Sequence, residues 1–67
     1  MELMVNGKKE VLLKEMSILA FLEWKGLNPK SVVIEYNENI AKSEEWESIQ
    51  LKENDQLEVL RLVGGGW

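Results

Sequence analysis

Apolar and polar residues alternate in short runs along most of this chain, and helical spacing occurs in one stretch only. Glu2-Leu3-Met4-Val5 alternates and meets Asn6-Gly7, a dipeptide that favours a tight two-residue hairpin turn. Residues 9–13, KEVLL, follow at the length of a returning strand. Ser17 then stands before ILAFLEWK, where its hydroxyl can accept hydrogen bonds from the free N–H groups of a first helical turn. Ile18, Phe21 and Leu22 share one face of that helix, about three turns long, and Gly26 stands where a left-handed stop is expected. Pro29 blocks its resumption. Residues 31–37, SVVIEYN, are rich in β-branched side chains and predict a third strand. A turn at residues 37–39 and a brief strand at 40–42 follow. Residues 43–46, SEEW, suit a single helical turn capped by Ser43, and QLEVLRLV at 56–63 predicts the last strand.

The order β-β-α-β-β-β, with one apolar helix face to cover, predicts an α+β fold of the β-grasp, or ubiquitin-like, arrangement. Its mixed sheet has four to five strands, the single helix lies on one face, and the first and last strands are central neighbours. Strand parity directs Leu3, Val5, Val32, Ile34, Tyr36, Leu57 and Val59 towards the helix. It leaves Met4, Val33, Leu60 and Leu62 on the far face, with Val11 or Leu13 beside them. Two readings of that face stay open. Small proteins always expose some apolar atoms, and a contiguous apolar area also marks docking surfaces. Trp24 extends the apolar side of the helix, and Trp46 caps the core beside the single turn. Residues 1–63 form one domain, and residues 64–67 a flexible tail.

Composition removes whole classes of function. The chain has 67 residues, enough for one domain with a small core. It has neither Cys nor His, so no disulfide framework, no soft-metal site and none of the usual nucleophile–base pairs are expected. The expectation is a protein that is not an enzyme, has no catalytic residues and binds no metal or cofactor. A net charge of −4 and the lack of a basic stripe argue against nucleic acid and for a basic protein partner. No long apolar segment is present, so no membrane span or signal peptide is expected, and a cytoplasmic location follows.

In the closing stretch LRLVGGGW the three glycines after the strand do not serve packing. Glycine loses more conformational entropy on ordering than any other residue and has nothing to bury, so Gly64, Gly65 and Gly66 do not stabilise a fold. A frayed terminus is one reading. The other is a thread on a rigid base, thin enough to carry a main-chain carboxylate into a channel that a Cβ atom would block.

With these residues the chain resembles the ThiS family of sulfur carriers, in the ubiquitin-like superfamily and related to the MoaD carriers. The likeness runs over the whole length. It includes the strand ending in Asn6-Gly7, Ser17 before a short Leu-rich helix, IEYN at 34–37, Trp46, LKEND at 51–55 and the terminal VGGG. The resemblance implies a carrier for thiamin thiazole biosynthesis whose terminal glycine carboxylate, here that of Gly66, is adenylated and converted to a thiocarboxylate. The implied partners are a ThiF-type adenylating enzyme that uses ATP, a cysteine desulfurase or other persulfide donor, and thiazole synthase. Gly65 and Gly66 match the family's essential pair, Val63 and Gly64 line the entry, and the face of Leu60 and Leu62 docks.

Two departures stand out. Ala41-Lys42 replaces the Pro-Arg of many members, and Trp67 follows the glycines. In the family the reactive carboxylate belongs to the last glycine, whereas here Gly66 is joined to Trp67 by a peptide bond. Removal of Trp67 by a peptidase at the Gly66–Trp67 bond, a cloning origin for Trp67, and loss of the carrier role are the three readings. Sulfur transfer to molybdopterin, tungstopterin, cysteine or a thioacid metabolite is an alternative destination. A ubiquitin-like modifier or interaction module is an alternative class.

Overall fold

A computed structural model describes residues 1–62. Residues 63–67, which include the predicted tail and the end of the predicted last strand, lie outside the described residues. The elements are β1 (Glu2–Val5), β2 (Lys8–Val11), α1 (Ile18–Trp24), β3 (Val32–Tyr36), β4 (Asn39–Ala41) and β5 (Gln56–Arg61), with 3₁₀ turns at Pro29–Ser31 and Ser43–Glu45. The five strands form one mixed sheet in the order β2-β1-β5-β3-β4. β1 and β5 are parallel and central, and the other pairings are antiparallel. This is the β-grasp arrangement, with α1 across one face.

Local chemistry accounts for each boundary. Asn6 and Gly7, at φ 53° and 78°, supply the two left-handed positions of a hairpin turn whose twist matches the flanking strands. The Ser17 hydroxyl accepts from the Ala20 N–H at 3.0 Å. At the other end Gly26 has φ 74°, its N–H reaches the Glu23 carbonyl at 3.0 Å, and the Leu27 N–H reaches Leu22 at 2.9 Å. That pair of bonds closes the helix after seven residues, two turns rather than the three that its residue pattern predicts. A helix so short is not stable alone. What holds it is burial of Ile18, Phe21 and Leu22 against Leu3, Ile34, Leu57 and Val59, at about 1.5–3 kcal/mol for each large side chain.

Several local expectations change. The second strand stops at Val11, because Leu12 turns into the core and Leu13 stands 98% exposed beyond it. Trp24 does not extend the core. It is 57% exposed, with its ring centroid 6.1 Å from that of Phe21 and the Lys25 ammonium 4.9 Å from its own centroid. Trp46 is buried, and its indole N–H donates to the Ala41 carbonyl at 2.9 Å. Ser43 is the first residue of its turn rather than the cap. The turn is closed instead by the Glu45 carboxylate, which accepts from the Lys42 N–H at 2.9 Å.

The β3–β4 turn contains a strained residue. Tyr36 pairs with Asn39, so Asn37 and Glu38 alone form the loop, with φ of 48° and 76°. Asn tolerates this region; a Glu side chain is crowded there. Glu38→Gly is expected to stabilise the protein by about 0.5–1 kcal/mol. That corresponds to a melting temperature several degrees higher at this size, readable by thermal melting.

Candidate functional site

The sheet face away from the helix is built by parity. On β5 the even-numbered residues face outward and the odd-numbered ones inward, so Leu57 and Val59 are buried while Glu58 and Leu60 are exposed. The β3–β5 register sets Val33 directly beside Leu60 and Glu35 directly beside Glu58. Leu62, half-exposed, continues the line, and its N–H donates to the Ser31 carbonyl at 2.7 Å. Val33, Leu60 and Leu62 are thus brought together at the end of β5.

Met4 is on the same face but not in the same patch. It pairs with Gln56, four residues before Leu60, so Gln56 and Glu58 come between them along β5. Val11 shares the far face as the partner of Glu2; Leu13 belongs to no strand. Ile40 also belongs to this face, as the partner of Glu35, and is exposed. Sequence reasoning missed it, because parity in a three-residue strand cannot be read without the register. Glu35 and Glu58 form a pair of like charges directly opposite each other, an arrangement that weakens a sheet. The face therefore combines apolar and anionic chemistry, suited to a partner with apolar and basic side chains. Val63, Gly64, Gly65, Gly66 and Trp67 lie outside the described residues.

Behind this face a buried carboxylate fixes where β5 starts. Asp55, 8% exposed, accepts from the Tyr36 hydroxyl at 2.8 Å, from the Asn37 amide at 3.1 Å and from the Lys52 N–H at 2.7 Å. Burial, together with the Asp55 bond and its negative charge, pushes the Tyr36 phenol up to about 12. The Asn37 side chain in turn accepts from the Gln56 N–H at 2.8 Å, so the β3–β4 turn and the start of β5 are bonded through side chains. LKEND is therefore a structural clasp, and its acid Asp55 is internal rather than part of the exposed sheet face.

Among the described residues no cluster of three potential metal ligands occurs, and no helix is long and apolar enough to cross a membrane.

Comparison with known proteins gives this geometry its context. A crystal structure of a thiamine biosynthesis protein (ThiS) from Geobacter metallireducens superposes with a TM-score of 0.83 at 28% identity, covering 98% of this chain and 100% of that one. A solution structure of a thiamine biosynthesis protein from the same organism gives a TM-score of 0.82 at 26% identity, covering 100% of this chain and 90% of the other. An uncharacterized protein, ycf40, of Trieres chinensis is 31% identical over 62 residues, spanning 92% of this chain and 85% of its own length. A thiazole synthase of Paramagnetospirillum magneticum is 27% identical over 66 residues, 98% of this chain but 20% of that protein. The ThiS family model matches residues 1–66, ending at Gly66 and leaving Trp67 beyond it. The chain belongs to the ThiS family.

Proposed function

We propose that this protein is a sulfur carrier for thiamin thiazole biosynthesis, that Gly66 carries the sulfur, and that Trp67 is removed first. The observation that carries the reading is the family match, which extends to Gly66 and stops there. The fold supports it by setting Val33, Leu60 and Leu62 together at the end of β5, the strand that precedes the glycines in the sequence. The likeness to a segment of a thiazole synthase favours the thiazole branch over other sulfur acceptors.

The chemistry follows from the carboxylate. Carboxylates are poor electrophiles, so an adenylating enzyme of the ThiF type first lets a Gly66 oxygen attack the α-phosphorus of ATP, expelling pyrophosphate. The terminal sulfur of a persulfide, supplied by a cysteine desulfurase or another donor, then attacks the acyl carbon and displaces AMP. A second thiol cleaves the resulting acyl disulfide, leaving the thiocarboxylate on the carrier and a disulfide on the donor. Thiazole synthase accepts the sulfur. The carrier contributes positioning only: Val33, Leu60, Leu62 and Val63, with Met4 at a distance, dock, and Gly64 to Gly66 deliver the terminal carbon.

Intact-mass measurement of the protein from cells tests the reading. The expected species lacks Trp67 and has one terminal oxygen replaced by sulfur. A chain that keeps Trp67 under conditions where thiazole is being made would overturn it.

A further inference from the structure

β5 outruns its parallel neighbour. β1 ends at Val5 and the Asn6–Gly7 turn leads the chain away, whereas β5 continues to Arg61. The last rung on that side is not made by two backbones. The Asn6 side chain accepts from the Val59 N–H at 2.7 Å and donates to the Val59 carbonyl at 3.3 Å. A carboxamide presents the same donor and acceptor as a peptide group, so Asn6 ends the ladder at Val59.

Alternation decides where the next groups point. The Asn37 N–H donates to the Gln56 carbonyl at 2.8 Å and the Leu62 N–H to the Ser31 carbonyl at 2.7 Å, which assigns the even-numbered residues of β5 to bonds with the β3 side. The Leu57 carbonyl accepts from the Asn6 N–H at 2.9 Å, on the β1 side. Arg61 belongs with Leu57 and Val59, so its N–H and carbonyl face the side that β1 has vacated. By that alternation neither group takes part in the β3 ladder, and among the described residues no bond of either to backbone outside the strand ladders is found. Arg61 also lines a hollow of about 250 Å³ together with Val5, Phe21, Lys25, Leu27 and Val59.

We propose that this open rung is a strand-addition site: an extended backbone segment of the adenylating enzyme pairs with β5 at Arg61, where β1 leaves off, and sets a side chain into the hollow. The proposal rests on the carrier reading above. An adjacent main-chain donor and acceptor are complemented best by another extended backbone. A second copy of this chain is the less suitable occupant, since pairing two β5 ends would bring two Arg61 side chains together. The segment would hold β5 straight at the point where the tail departs, orienting the glycines before they enter the active site.

The test uses chains ending at Gly66 and a ThiF-type enzyme, with binding measured by calorimetry. Arg61→Ala sets the reference for loss of the side chain. Arg61→Pro also removes the N–H, at a position whose N–H takes no part in the β3 ladder and where proline is tolerated. Arg61→Pro is expected to bind about fivefold or more weakly than Arg61→Ala, the scale of one hydrogen bond. Equal affinities would overturn the proposal and leave the carrier reading intact. Failure of the wild-type chain to bind at all would remove both. Arg61-dependent dimers in sedimentation, with enzyme binding unchanged, would also overturn it. Should Arg61→Pro not fold, amide exchange in the wild type decides: slowing of the Arg61 amide by about tenfold in the complex supports the rung, and an unchanged rate overturns it.

Discussion

Mixed with an adenylating enzyme of the ThiF type and ATP, the chain ending at Gly66 is expected to release pyrophosphate, and the chain ending at Trp67 to release essentially none. In the longer chain the Gly66 acyl carbon is part of a peptide bond, so no ionised oxygen is attached to it to attack phosphorus. That longer chain does end in a carboxylate, but the group belongs to a residue whose α-carbon carries an indolylmethyl side chain. A channel fitted to glycine has no space for that side chain, and an extended backbone places the group roughly 3.5 Å further along. Displacement of a reacting atom by even about 1 Å can cost on the order of 10²-fold in rate, so the combined effect is expected to be close to all-or-none. Restored turnover after enzymatic trimming at the Gly66–Trp67 bond would locate the block at that bond. Equal pyrophosphate release from both chains would mean that the enzyme tolerates a terminal tryptophan, and trimming would lose its chemical necessity.

Much of the scaffold around this chemistry is legible in the residues themselves, because the signals are local. Asn6-Gly7 marks a hairpin, Ser17 opens the helix and Gly26 closes it, and each does so by bonds within a few residues. Parity sorts Leu57 and Val59 from Glu58 and Leu60 correctly, because β5 is long enough for its alternation to be read. Where the deciding partner is distant in sequence, the reading fails. Trp24 looks like a continuation of the helix's apolar face, but the sheet beneath the helix is already filled by Phe21 and Leu22. Leu13 continues an apolar run, yet β2 has ended and the core takes Leu12 instead. Strand parity sets Met4 and Leu60 on the same sheet face. Face alone cannot separate them; the parallel register that pairs Met4 with Gln56 does. Asn6 reads only as a turn former, and its second role as the last rung of the β1–β5 ladder depends on a residue 53 positions away.

Asp55 is the strongest case of a role hidden by distance, and its removal is expected to have the largest effect on stability. In the sequence it is one acid in a polar loop; in the fold it is 8% exposed and accepts three hydrogen bonds. Asp55→Ala would leave the Tyr36 hydroxyl, the Asn37 amide and the Lys52 N–H without that acceptor. Each orphaned donor costs about 1–3 kcal/mol when buried. Because these sites are only partly buried, a total of about 3 kcal/mol is the reasonable expectation. A domain of this length has roughly 3–10 kcal/mol in all, so the loss is a large fraction of it. Thermal melting should show a fall of about 12–24 °C, at about 4–8 °C per kcal/mol for a domain of this size. Tyr36→Phe should lose less, because the carboxylate keeps two of its partners. In the double variant the two losses should not add, since the hydroxyl and the carboxylate share one bond. The same clasp sets the start of β5 against β1, through the Met4 N–H to the Asp55 carbonyl at 2.9 Å and the Asn54 N–H to the Glu2 carbonyl at 2.7 Å. Loosening it would blur the register that places Leu60 beside Val33, so on the proposed carrier reading Asp55→Ala should weaken partner binding as well as stability, although Asp55 is not on the proposed docking face. A melting temperature within about 4 °C of wild type would mean that water replaces the carboxylate at little cost, and that the β1–β5 register is held by the backbone alone.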